Sequence, residues 1–202
     1  MSLRPKSIAV IGGGAAGLAA AVTAARDGAN VTVFEAQDRV GNSIKVTGDG
    51  RCNIANVGTC ADCYHNAAFV ARAFQAYSPM QAIGFLGSMG LLLREEAEGR
   101  LYPFTNKATS VIDALRLAAA CAGVQETCGA AVSKVLPAMT GGWQVSFTDG
   151  SSTRANRSST CANDPFISAD SPAKAFDAVV LACGGNVAPA LLPKDVAFCS
   201  TT

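Results

Sequence analysis

Apolar, β-branched positions fall in a few short runs along the chain. Ser7 to Ile11 is the first, and an unbroken apolar run of this length predicts a strand buried on both faces, as in a parallel sheet. Ala15 to Asp27 is alanine-rich and predicts a helix closed by Gly28. Val31 to Glu35 predicts a second strand, and the Gly, Asn, Asp, Ser and Thr of Gln37 to Val57 predict loop. Ala67 to Ala76 and Ser78 to Met89 predict two helices, with Pro79 at a permitted first-turn position. Leu91 to Pro103 is mixed and leaves room for one short strand. In Thr109 to Ala122, Val111, Leu115 and Ala118 recur at helical spacing and Gly123 follows.

Beyond Gly129 the period shortens. Val132 to Leu136, Trp143 to Phe147 and Ser152 to Arg154 predict an antiparallel meander with turns at Gly141-Gly142 and Asp149-Gly150. Ala155 to Lys174 is polar and predicts a surface insertion, and Phe176 to Ala182 predicts one more buried strand, ending at Cys183-Gly184-Gly185. Asn186 to Thr202 shows no clear element.

Composition narrows the class. Half of the 202 residues are hydrophobic and 15% are charged, which excludes global disorder. The net charge is +1 with no basic or acidic block, so neither nucleic acid nor a charged membrane surface is an expected partner. Eight cysteines would suggest disulfides in a secreted chain. Arg4 and Lys6 followed by an apolar stretch resemble a signal peptide, but three glycines interrupt that stretch and it runs on into the second strand. With no stretch approaching a membrane span, the expectation is a cytoplasmic protein with reduced thiols.

The chemistry concentrates at Gly12-Gly13-Gly14-Ala15-Ala16-Gly17, a G-x-G-x-x-G sequence between a predicted strand and a predicted helix. Gly12 suits the tight turn, Gly14 leaves room for a pyrophosphate against the backbone, and Gly17 lets the helix pack closely on the strand. The helix start adds free N–H groups and the positive end of a dipole. Such a turn alone is weak evidence. Here Glu35 closes the second strand 18 residues after Gly17, where the ribose hydroxyls of a bound ADP group would lie. Its carboxylate disfavours a 2′-phosphate, and so NADP, but accepts FAD and NAD alike. The loop Arg39-Val40-Gly41-Asn42-Ser43, and a meander in place of a further βαβ repeat, favour FAD.

At this point the chain resembles the two-dinucleotide-binding-domain flavoproteins, and more narrowly the bacterial BaiN-like ("aminoacetone oxidase") family of NAD(P)/FAD-dependent oxidoreductases. Thr47-Gly48-Asp49-Gly50-Arg51-Cys52-Asn53 is similar to that family's S/T-G-x-G-R-C-N loop, and Glu98-Gly99-Arg100-Leu101-Tyr102-Pro103 to its E-x-G-R-x-[FY]-P stretch. Leu181-Ala182-Cys183-Gly184-Gly185 is similar to the flavoprotein A-T-G-G signature, with cysteine for threonine. The resemblance implies an α/β fold: a Rossmann-like FAD-binding domain with a parallel sheet and a β-meander. This domain is expected over residues 1–190, with a helical insertion at about 64–105 and a polar loop at about 155–175. Residues 191–202 would begin a substrate domain lying beyond this chain, in a protein about twice as long, so that the chain alone is expected to be inactive.

The cofactor contacts expected on these grounds are Gly12, Gly14, Ala15, Ala16, Gly17, Glu35, Ala36, Gly41, Ser43, Thr47, Gly48, Gly50, Arg51, Cys52, Asn53, Val132, Ala182, Cys183 and Gly184. Arg51 is the candidate cation for a reduced flavin, set against a loop-holding arginine. Cys52 reads more readily as a packed apolar residue than as a redox thiol, and Arg100 and Tyr102 as a structural turn rather than a substrate wall. Cys60-Ala61-Asp62-Cys63 with His65, the one histidine, falls short of four metal ligands, so no metal is expected. The function implied is hydride transfer between NAD(P)H and a small organic substrate, such as a conjugated carbonyl compound. The alternatives are an NAD-binding dehydrogenase domain and a folded but inactive fragment.

Overall fold

The computed structural model describes residues 4–139, 141–148, 173–184 and 187–193. Strand β1 (Ser7–Ile11), helix α1 (Ala15–Arg26) and strand β2 (Asn30–Glu35) open the chain as a βαβ unit. There follow α2 (Asn42–Lys45), β3 (Ala55–Asn56), α3 (Ala67–Ala76), α4 (Pro79–Ser88), β4 (Leu93–Glu95), β5 (Arg100–Pro103) and α5 (Ala108–Cys121). The remaining elements are β6 (Gln125–Cys128), β7 (Val132–Pro137), β8 (Trp143–Phe147), β9 (Lys174–Phe176), β10 (Ala178–Leu181) and α6 (Ala188–Leu191). The chain divides into two compact units, one of residues 1–42 and 119–202 and one of residues 43–118.

The first unit holds a parallel sheet in the order β10-β1-β2-β6, with Ile8 opposite Val31 and Ala178. β1 lies between two partners, which is why Ile8 to Ile11 are all apolar; Ala9 and Val10 have no exposed surface. Helix α1 turns Leu18, Ala21 and Val22 inward at helical spacing. Gly28 beyond its end has φ +88°, a left-handed position that suits glycine.

The antiparallel sheet β7-β8-β9 supplies the core's second layer. Val135 and Val145 pack with Ala9, Ile11, Phe34, Ala130 and Leu191, and Trp143, Phe147 and Phe176 close over them. The Phe34 ring lies 5.0 Å from that of Phe147 and 5.8 Å from that of Phe176, in tilted and edge-on arrangements.

In this unit three expectations are corrected. Gln125–Cys128 is a strand parallel to β2, so α5 leads into one more parallel strand before the meander begins. Its alternating Gln-Glu-Thr-Cys carries no apolar run, because the strand lies at the sheet edge. The strand expected over Phe176 to Ala182 is two strands. Phe176 ends β9 in the antiparallel sheet, Asp177 breaks the run, and β10 joins β1. Residues 188–191, expected to be without structure, form the short helix α6. The expected strand at 152–154, the 149–150 turn and most of the 155–174 insertion lie outside the described residues.

In the second unit, β3, β5 and β4 form a small antiparallel sheet, so Leu91 to Pro103 holds two strands rather than one. Asn66 caps α3 by accepting from the Phe69 N–H, and Ser78 with Gln81 forms a capping box on α4 with Pro79 in the first turn. Among the described residues, no helix is long and apolar enough to cross a membrane.

Candidate functional site

The three-glycine turn lies at the carboxyl ends of β1, β2 and β10, where ligands of open parallel sheets bind. Gly12 has φ +104°, and a Cβ there would stand 2.6 Å from the Ala182 carbonyl oxygen. The Ala182 N–H donates to the Ile11 carbonyl, and a Cβ on Gly12 would also stand 2.9 Å from Cys183 Cα, so Ala182 and Cys183 lie against the turn. A Cβ on Gly17 would collide with the Gly12 carbonyl oxygen, which accounts for the third glycine of the motif. Gly13 is as constrained, although the motif does not specify it. Its Cβ would fall 2.5 Å from Val40 Cγ1, and its carbonyl accepts the Gly41 N–H. The signal for this contact was a lone valine in an otherwise polar loop.

Helix α1 begins at Gly14 with no side-chain cap, and Ala15 and Ala16 are exposed. The first-turn N–H groups of a helix have no intrahelical partners, and Gly14, at the N-cap, has no side chain to accept from them. Glu35 ends β2 beside this turn. Its Oε2 accepts the Gly13 N–H at 2.7 Å and its Oε1 the Gln37 N–H at 2.9 Å. A carboxylate offers about four acceptor positions, so two remain for hydroxyl donors. The Glu35 carbonyl accepts the Ala130 N–H and thereby fixes the start of the meander, two residues before Val132. Val132 itself packs against the core cluster. Exposed Ala36 and buried Gly41 complete this group. Cys183 is partly buried, which raises its thiol above the ordinary value and keeps it protonated.

The other expected contacts belong to the second unit. Ser43 is exposed on α2. Thr47 to Gly50 form a short 3₁₀ turn in which Gly48, Asp49 and Gly50 all have positive φ, as does buried Cys52. A Cβ on Gly48 would meet the Asn53 backbone nitrogen at 2.7 Å, so this loop is closed around its glycine. Arg51 does not extend as a free cation. Its Nε donates to Asn106, its NH2 to Glu96, and its guanidinium lies 4.1 Å from the centre of the Tyr102 ring. Its hydrogen bond to Glu96 raises the Arg51 pKa and lowers that of Glu96, and Arg94 also bonds Glu96. Tyr102 is buried as the platform for this arginine, and Arg100 donates to the Ala97 carbonyl, so both serve the turn. Among the described residues, no group of three His, Cys, Asp or Glu side chains is placed to hold a metal.

A glycine-rich turn into a helix and a carboxylate ending the next strand of a parallel sheet define a Rossmann-type dinucleotide-binding domain. The chain belongs to the family described as HI0933-like protein Rossmann domain, whose model matches residues 6–195. A 3-dehydro-bile acid delta(4,6)-reductase of Clostridium scindens is 37% identical over 114 residues, 54% of this chain and 28% of that protein. A ribosomal RNA dihydrouridine synthase of Haemophilus influenzae is 34% identical over 95 residues, 46% of this chain and 24% of that one. The matches thus span about a quarter of the length of these curated relatives. Among solved structures, the 3-ketosteroid-Δ4-(5α)-dehydrogenase of Rhodococcus jostii superposes with a TM-score of 0.53 at 16% identity, covering 72% of this chain and 45% of that one.

Proposed function

We propose that the chain is the FAD-binding portion of an oxidoreductase that moves hydride between NAD(P)H and a small organic, conjugated carbonyl substrate. The observation that carries this reading is the Glu35 carboxylate at the uncapped start of α1. The diphosphate would sit against Gly14, Ala15 and Ala16, where main-chain N–H groups and the helix dipole meet negative charge. Glu35 would take the adenosine ribose hydroxyls with its two remaining acceptor positions. Gly12 and Gly17 hold the turn close to β10 and α1, and Ala36, Gly41, Val132, Ala182, Cys183 and Gly184 would line the nucleotide. Thr47, Gly48, Gly50, Arg51, Cys52 and Asn53, with Ser43, are the proposed contacts of the second unit. When bound, the flavin supplies the hydride chemistry, and the chain contributes position and electrostatics.

The sequence similarity to the bile acid reductase supports a conjugated carbonyl substrate. The balanced charge of this chain favours a small molecule over RNA, the substrate named for the other relative. Titration of the chain with FAD, read by flavin fluorescence, tests the cofactor. Saturable quenching that ADP reverses is the expected result. Thermal stabilisation by NAD with no response to FAD would establish the dehydrogenase reading in its place, and no response to any nucleotide would establish an inactive fragment.

A further inference from the structure

The glycine turn and the Arg51 loop leave Cys60-Ala61-Asp62-Cys63 without a role. Cys60 and Cys63 bracket one exposed 3₁₀ turn (Ala61–Cys63), and their sulfurs stand 3.4 Å apart in hydrogen-bond contact. Both cysteines are exposed and free. The turn is held from within by the Cys63 N–H, which donates to the Cys60 carbonyl. The next residues fix its exit: Tyr64 stacks edge-on against Phe74 of α3, and Asn66 caps that helix. The two thiols are therefore held side by side by local structure and face solvent.

We infer that Cys60 and Cys63 form a dithiol–disulfide pair that exchanges electrons with low-molecular-weight disulfides. Bonding requires the sulfurs to close from 3.4 Å to about 2 Å, a change that side-chain rotation in an exposed single turn can absorb. Cys63 is the attacking group. The backbone N–H and then the thiol of Cys60 stabilise its thiolate and pull its pKa below the ordinary value, against burial and the Asp62 charge. The Cys63 thiolate attacks one sulfur of the small disulfide, forming a mixed disulfide and releasing one thiolate. Cys60 then loses its proton and attacks Cys63 Sγ, which closes the Cys60–Cys63 bond and releases the second thiol. Two electrons pass from the pair to the small disulfide, and two small thiols appear.

Among the described residues the pair finds no third acidic, cysteine or histidine side chain with which to hold a metal. This inference is independent of the flavin reading, and its test needs no nucleotide. The whole chain is equilibrated with oxidised glutathione, quenched and alkylated, and its peptides are mass-mapped. The peptide between Arg51 and Arg72 carries Cys52, Cys60 and Cys63. The expected result is loss of two hydrogens from this peptide, with fragmentation placing the bond at Cys60–Cys63. The loss should persist in Cys52→Ser and vanish in Cys60→Ser, where a glutathione adduct should accumulate on Cys63. Thermal melting of Cys60→Ser at the wild-type temperature would verify that the exposed site carries no folding role. A peptide that stays fully reduced, a bond to Cys52, or stoichiometric zinc retained on Cys60 and Cys63 would overturn the inference.

Discussion

Glu35 is already engaged by two main-chain N–H groups, so its carboxylate is held in place before any ribose arrives. Glu35→Gln replaces one acceptor oxygen by an amide donor that must face the Gly13 or Gln37 N–H. The expected loss in ADP and FAD affinity is about tenfold or more, from the charge-assisted hydrogen bonds removed, as measured by fluorescence titration. The neighbouring Gly12 answers to backbone geometry instead. Gly12→Ala would place a Cβ at φ +104° and 2.6 Å from the Ala182 carbonyl. It should destabilise the chain by about 2–4 kcal/mol in urea melts, whether or not nucleotide is present. At this scale Gly17 could be read from spacing alone, because what its Cβ would meet is the Gly12 carbonyl, five residues before it. Gly13 could not, because what excludes its Cβ is Val40, a residue brought back by the loop beyond β2.

Elements are joined at two points that carry measurable weight. Phe34 ties β2 to the meander through Phe147 and Phe176, and it is 1% exposed. Phe34→Ala is expected to cost about 3–5 kcal/mol by chemical denaturation, since a packed aromatic would leave a cavity between two sheets. Asp177 ties the start of β1 to the corner between β9 and β10. It accepts from the Arg4 guanidinium and from the Ser7 N–H and hydroxyl. The bond from Arg4 first, then those from Ser7, hold its carboxyl well below the usual carboxylate range. A carboxylate with a lower pKa folded than unfolded adds stability that is whole at neutral pH and is lost as pH falls below about 4. Asp177→Asn should therefore lower the Tm at pH 7 and flatten the fall of Tm on acidification. Strands β1, β2, β7 and β8 were legible in their apolar periodicity. Strand β6 was not, because an edge strand needs no continuous apolar face, and Phe176 to Ala182 read as one strand because hydropathy does not register a sheet change at Asp177.

For the molecule as a whole, the sign of charge at the proposed nucleotide site should govern selectivity. 5′-AMP should raise the Tm, by about 5–10 °C at a hundredfold excess over its Kd, whereas 2′,5′-ADP, which differs from it only by a 2′-phosphate, should leave it unchanged because that phosphate meets Glu35. A thermal-shift series with the two nucleotides checks this, and equal shifts would remove Glu35 from the ribose site. The βαβ opening, the position of Glu35 after β2 and the capped helices α3 and α4 all follow from interactions between residues near in sequence, and such signals survive in a linear string. The pairing of Arg51 with Glu96 and Asn106, the closure of Gly12 on Ala182 and the clasp of Asp177 on Arg4 and Ser7 do not. The Arg51 and Asp177 bonds join residues 45, 55, 170 and 173 positions apart within single units. Such contacts depend on where strands are laid beside one another, and local propensity carries no record of that.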